Sequence, residues 1–234
     1  MRIGLLLAFV FASFAGFAQQ KPTELDKSPM DMSYWPDNYP LLKMSGKAKN
    51  QPIARVIYGR PMKNGRTIFG GIIKYNELWR LGANEATELE IFSPVKLANK
   101  VLPKGRYTLF CVPTENKWTI IVSKDNFCWG SFTYDTRKDI ARAEIKPETT
   151  EEIVETFTIY FKDSADKASL VFLWDNQKAE LPLTLVNAKN ERYEDCYQIH
   201  SRRCRTRPFY RSHHDSYLSN FNLCSGSTGC KPGI

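Results

Sequence analysis

The chain has 234 residues, a formal net charge of +8 and 42% hydrophobic residues, enough to close a hydrophobic core without disulfide or metal staples. Residues 50–186 hold 19 Lys+Arg against 17 Asp+Glu, whereas residues 187–234 hold 8 against 4. A nucleic-acid binder carries its basic patch on the folded domain, so this balance excludes nucleic acid as an expected partner.

Residues 1–18 read as a signal peptide. Arg2 supplies the positive start, Ile3 to Phe17 is apolar or small, and Gly16-Phe17-Ala18 offers small residues before a cut after Ala18. The apolar run is shorter than the roughly 20 residues of a spanning helix. Export to the periplasm or the medium is therefore expected, with no transmembrane segment after cleavage. Residues 19–50 read as an irregular arm, interrupted by Pro22, Pro29, Pro36 and Pro40. Its Met32, Tyr34, Trp35 and Tyr39 are too apolar for a free linker, so part of it is expected to pack on the domain.

From residue 51 to 186 the hydrophobic period is two, the mark of half-buried strands. Leu89 and Ile91 alternate with Glu88 and Glu90. Tyr107, Leu109 and Cys111 face one way, Thr108 and Phe110 the other. Trp118, Ile120 and Val122 follow, then Phe157, Ile159 and Phe161, then Leu170, Phe172 and Trp174, then Leu181, Leu183 and Leu185. Turn chemistry separates them at Ala98-Asn99-Lys100, Pro103-Lys104-Gly105, Thr114-Glu115-Asn116 and Asp163 to Asp166. Pro182 marks its strand as an edge, since proline donates no ladder hydrogen bond. Lys74–Leu81 reads as one short helical turn. The expected fold class is all-β, a single-domain antiparallel sandwich of jelly-roll-like kind.

The segment Gly59–Phe92 concentrates the candidate ligand-binding residues: Arg60, Arg66, Trp79, Arg80, Asn84 and Glu85. Guanidinium groups present planar donor forks suited to carboxylate or phosphate. As a site, these residues bind an acidic group on a sugar, peptide or phosphate-bearing ligand, with Trp79 stacking and Asn84 orienting. As structure, Arg80 pairs with Glu85 and Trp79 is core. Trp118, Trp129 and Trp174 read as core rather than ligand platforms.

Residues 50–186 contain no histidine, so neither a Ser-His-Asp nor a Cys-His arrangement can be built there. The histidine-rich zinc hydrolase sites are missing as well, and neither a metal nor a cofactor is expected. Carboxylates remain, but Glu85/Glu88 and Asp135/Asp139 name no pair placed to flank a scissile bond. Cys111 and Cys128 fall near neighbouring strands, and an oxidising compartment permits a disulfide between them. Two buried free thiols are the other reading.

Several motifs occur in order: IYGRP at Ile57–Pro61, NGRTIFGG at Asn64–Gly71, LWRLGANEATE at Leu78–Glu88, KGRYTLF at Lys104–Phe110, WTIIVSKD at Trp118–Asp125, and the later LVFLWD and ELPLTL. In these the chain resembles the DUF2911 family, exported bacterial domains of unknown function. The resemblance implies export and a compact β-rich domain, with no assigned activity and no catalytic residues to carry over. The tail, residues 187–234, departs from that pattern. It holds four of the six cysteines and all three histidines, and reads either as a disordered Cys/Arg-rich extension or as a shifted reading frame. Cys196, His200 and Cys204 do not match the usual zinc spacing. Cys224 and Cys230 could close a small disulfide loop.

These features point to a non-catalytic ligand-binding or structural module of the bacterial periplasm, whose partner is a small acidic ligand or a glycan. The alternative is a carboxylate-dependent hydrolase acting on a glycan or similar envelope substrate. Two carboxylates facing across a concavity would favour hydrolysis. Arg, Asn and an aromatic without such a pair would favour binding.

Overall fold

The computed structural model describes residues 24–186. The expected signal peptide, the Cys196–His200–Cys204 spacing and the Cys224/Cys230 pair lie outside these residues.

Ten strands form two antiparallel sheets. They are β1 (Met30–Trp35), β2 (Ala54–Gly59), β3 (Glu88–Ile91), β4 (Val95–Leu97), β5 (Lys100–Leu102), β6 (Gly105–Pro113), β7 (Trp118–Ser123), β8 (Asp139–Ile145), β9 (Glu148–Ser164) and β10 (Lys167–Leu185). One sheet runs β1-β2-β3-β6-β7-β8 and the other β5-β4-β10-β9. The first is a meander that leaves for β4 and β5 before β6 returns to pair with β3. The fold is an all-β sandwich.

Side-chain alternation decides what each face meets. Leu89, Ile91, Tyr107, Leu109, Cys111, Ile120 and Val122 point into one large core, where they meet Phe157, Ile159, Phe161, Leu170 and Phe172 of the second sheet. Tyr58 meets Phe157 edge-on at 5.9 Å, and Trp35 meets Phe161 at 6.3 Å. On the outer face, Arg55, Glu90 and Arg106 stand opposite one another across β2, β3 and β6. Arg55 and Arg106 both pair with Glu90. Opposite charges at directly facing positions support a sheet where like charges would weaken it. Phe110 and Ile121, also facing each other, build a second small cluster with Ala86 on that outer face.

The structure differs from expectation at three places, and it decides between the two readings of the cysteines. The arm is not irregular throughout. Met30–Trp35 pairs in unbroken register with β2, from Met30 opposite Gly59 to Trp35 opposite Ala54, and Tyr39–Met44 forms a helix, α1.

Lys74–Leu81 is not helical. Asn76 and Leu81 both have positive φ, 64° and 54°, which no right-handed helix admits. The Trp79 backbone instead exchanges hydrogen bonds with Cys111, at 2.7 and 2.8 Å. It thereby takes the edge of β6 beyond the stretch that β3 occupies. The short helical turn within the domain stands at Thr136–Lys138, as a 3-10 turn.

The segments around Leu170 and Leu181 belong to one run, β10, which doubles back on itself. Nineteen extended residues would span about 60 Å, yet the Leu185 amide donates to the Asp166 carbonyl at 2.7 Å. The reversal follows Asp175, whose φ is 55°. The returning half, Leu183–Leu185, pairs with β4. Pro182 therefore sits in an interior strand rather than at an edge, one residue before the β4 ladder begins.

Cys111 and Cys128 are both free thiols. Cys111 faces the main core, while Cys128 packs against the outer cluster of Phe110 and Ile121. The sheet lies between them, so a disulfide cannot form without moving the backbone.

Candidate functional site

Two backbone segments set the site. A Cβ at Gly59 would lie 2.4 Å from the Ala83 carbonyl oxygen, so only glycine lets the end of β2 run flush against Gly82-Ala83. Leu81 (φ 54°) and Asn84 (φ 59°) bracket that pair. A buried leucine in the left-handed region is uncommon and must be held there by its surroundings. The Thr87 hydroxyl donates to the Leu81 carbonyl, the Thr87 amide donates to the Arg80 carbonyl at 3.1 Å, and the Trp79 indole donates to Gly82 O at 3.3 Å. From the other side, the Gly130 amide donates to Asn84 O and the Ala86 amide to Cys128 O, each at 2.9 Å. The loop is tied at both flanks, and Arg80 is fixed at its start.

Arg80 lines a cavity of about 350 Å³, together with Arg66, Lys74, Glu77, Asn84 and Ser131. Trp79 and Trp174, stacked on each other at 6.1 Å, share its apolar side with Ile72, Ile73 and Leu78. The lining carries three cationic side chains and one carboxylate, Glu77, which stands 3.6 Å from Lys74.

Four of the six sequence candidates thus share one concavity: Arg66, Trp79, Arg80 and Asn84. The other two do not join them. Arg60 is spent on the seam between the sheets. Its Nε donates to Phe157 O at 3.2 Å, Nη1 to Asp31 at 2.8 Å and Nη2 to Thr158 Oγ1 at 2.9 Å. Glu85 is exposed, and its backbone bridges to Trp129.

Within the cavity, the four candidates differ in freedom. Arg66 turns back on its own loop, donating to the Lys63 and Met62 carbonyls. Trp79 is only 5% exposed and wedged among Phe69, Trp118, Phe157 and Trp174, so it is a core ring with an edge at the cavity and not a stacking platform. Asn84 is half-buried.

Arg80 is the exception. It is half-buried, and among the described residues its guanidinium forms no ion pair, while its Nε is buried with no hydrogen-bond partner. Burial pulls its basicity below the ordinary arginine value, with no neighbouring carboxylate to offset it. The Arg80–Glu85 pair of the structural reading does not form among the described residues.

Sequence reasoning missed Lys74, Glu77 and Ser131: the first two lie just before Arg80 on the stretch expected to be helical, and Ser131 comes from a loop distant in sequence. It also misplaced Trp129. Trp118 and Trp174 are core, as expected, but Trp129 is 63% exposed. The Trp129-Gly130 pair in a loop with no apolar alternation was the one available signal.

Residues 40–183 match the model of a family described as protein of unknown function (DUF2911). No curated protein and no solved structure matches the chain.

Proposed function

We propose a function for this chain as a member of the DUF2911 family, to which it belongs and which assigns it no reaction: a non-catalytic module that binds a small anionic ligand in the Arg80 cavity. The observation that carries this reading is the Arg80 guanidinium, half-buried at the cavity wall and, among the described residues, without an ion-pair partner. Burying a charge without a partner is costly, and a carboxylate or phosphate in the cavity supplies the counter-charge that the guanidinium lacks. Lys74 and Arg66 add positive potential, and Asn84 and Ser131 add neutral hydrogen-bonding groups.

Hydrolysis by two carboxylates is the weaker reading. It requires a pair flanking the scissile bond, and among the described residues Glu77 is the single carboxylate in the lining. The proposed place of action is the periplasm or the medium. The Arg2-led apolar segment ending at Ala18 supports this, and an intact mass beginning at Gln19 checks it.

The test is calorimetric titration with inorganic phosphate, sulfate and acetate, on the wild type and on Arg80→Ala. Loss of a charge-assisted hydrogen bond should weaken binding by about tenfold or more. Equal affinity in both proteins, or no anion bound by either, defeats the reading.

A further inference from the structure

The segment that carries Ser131 also carries a feature the anion reading leaves unused. Trp129 and Phe132 are 63% and 80% exposed, and their rings stack on each other at 5.8 Å with 18° between planes. Large aromatic faces held in water forgo the gain of burial, so their exposure asks for an explanation.

They are not on a loose loop. Glu85 bridges to Trp129, and hydrogen bonds join Gly130 to Asn84 and Ala86 to Cys128. Gly130 has φ 70°, and a Cβ there would lie 2.7 Å from the Phe132 ring, so glycine at this point lets the ring lie against the backbone. Ser131, between Gly130 and Phe132, lines the cavity. The same short segment therefore supplies a lining residue of the cavity, Ser131, and the two aromatic residues that flank it in sequence.

Building on the anion-binding reading, we propose that this site takes an acidic saccharide, its acid group at Arg80 and a sugar ring on the exposed aromatic face of Trp129 and Phe132. The apolar C–H face of a pyranose suits a flat aromatic ring, which is apolar over its face. Its hydroxyls, each both donor and acceptor, suit the mixed lining of Asn84, Ser131 and Glu77. An extended peptide fits less well. Recognition by strand addition needs an open sheet edge, and apart from Trp174 of β10 the cavity lining comes from loops and isolated bridges. A nucleotide would use the rings and Arg80, but it makes less use of the hydroxyl-matching groups between them.

The experiment is a binding screen of the full chain against carboxylated, sulfated and phosphorylated oligosaccharides, each beside its neutral counterpart. Nucleoside monophosphates and acidic peptides serve as competitors. Affinities of the best probes are then measured on the wild type and on Trp129→Ala, Phe132→Ala and Arg80→Ala. At least one acidic saccharide should bind about tenfold or more tighter than both its neutral counterpart and the free inorganic anion. Trp129→Ala and Phe132→Ala should each weaken the saccharide by about tenfold and leave phosphate affinity unchanged. Because both rings are exposed, neither variant should unfold the domain, and circular dichroism checks this.

The saccharide proposal fails if no acidic saccharide outbinds the free anion, if a nucleotide or peptide binds more tightly, or if the ring variants bind saccharide as well as the wild type does. Phosphate binding that depends on Arg80 would survive each of those results and keep the simpler anion reading. Absence of any anion binding removes both.

Discussion

Arg80 and Glu85 are five residues apart and do not meet: the guanidinium turns into the cavity while the carboxylate stays in solvent. Removing Arg80 therefore strands no buried partner. Breaking a buried ion pair would cost about 3–5 kcal/mol. Arg80→Ala is instead expected to change stability by less than about 1 kcal/mol, or to raise it slightly by deleting an unsatisfied Nε. Urea denaturation measures this, and a loss of several kcal/mol would mean Arg80 serves the fold.

Arg60 should behave in the opposite way. It spans the seam where β1 and β9, edge strands of the two sheets, come together, and it gives donors to Asp31, Phe157 and Thr158. Arg60→Ala is expected to cost about 1.5–3 kcal/mol, the range for hydrogen bonds to a charged group. Arg60→Lys should rescue little, because an ammonium cannot reproduce a fork aimed at three acceptors. Matching denaturation curves for wild type and Arg60→Ala would refute the staple.

Stability should fall in alkali through two tyrosines. Burial, with help from Asp31, pushes the Tyr58 hydroxyl up to about 12 from 10.0. Burial and the hydrogen bond to Asp139 do the same for Tyr134. Both groups are neutral in the folded and unfolded chain below pH 10, so their stabilising share is fully present there. Between pH 10 and 12 the unfolded chain releases these protons and the folded chain does not, so stability declines. A Tyr58→Phe/Tyr134→Phe double variant should show a shallower decline in melting temperature over that window. An identical slope would contradict the assignment.

The two described cysteines should differ in reactivity. Burial raises the Cys111 thiol well above its ordinary value, and Cys128, nearer the surface, is raised by burial and by Asp125. Since the thiolate is the reactive form, alkylation at pH 8 followed by peptide mapping should label Cys128 slowly in the native protein. Cys111 should be labelled only after denaturation. Recovery of a Cys111–Cys128 linked peptide would overturn the free-thiol description.

Much of the sandwich was legible because each strand carries its own two-residue period. Tyr107, Leu109 and Cys111 fall on one face and Phe110 on the other because alternation is a local property of extended backbone. The short run Met30–Trp35 was hidden by the prolines around it, and its pairing depends on β2, which lies beyond α1 in sequence. At Lys74–Leu81, the positive φ of Asn76 and Leu81 is enforced by packing against β6, which no window of local sequence reports. For the site, residue types announced a cationic cluster. Which arginine was free could not be read, because Arg60, Arg66 and Arg80 differ only in the carbonyls and carboxylates the fold brings near them. Trp129 was misjudged for a related reason: exposure belongs to the loop's docking on Asn84 and Ala86, not to the ring.

The region matched by the family, residues 40–183, begins after β1 has ended. A fragment cut at those limits would lack Trp35, which is fully buried beside Phe161, and Asp31, which holds Arg60. It would also lack Ser33, whose hydroxyl accepts the Phe161 amide at 3.1 Å. The whole flank of β2 would be left with open backbone donors and acceptors, a template for another chain. Such a piece would be prone to self-association through that bare strand. The matched region is thus smaller than the sandwich, because β1 and its contacts to β9 lie outside it and the lead-in replaces β2 as the edge of its sheet.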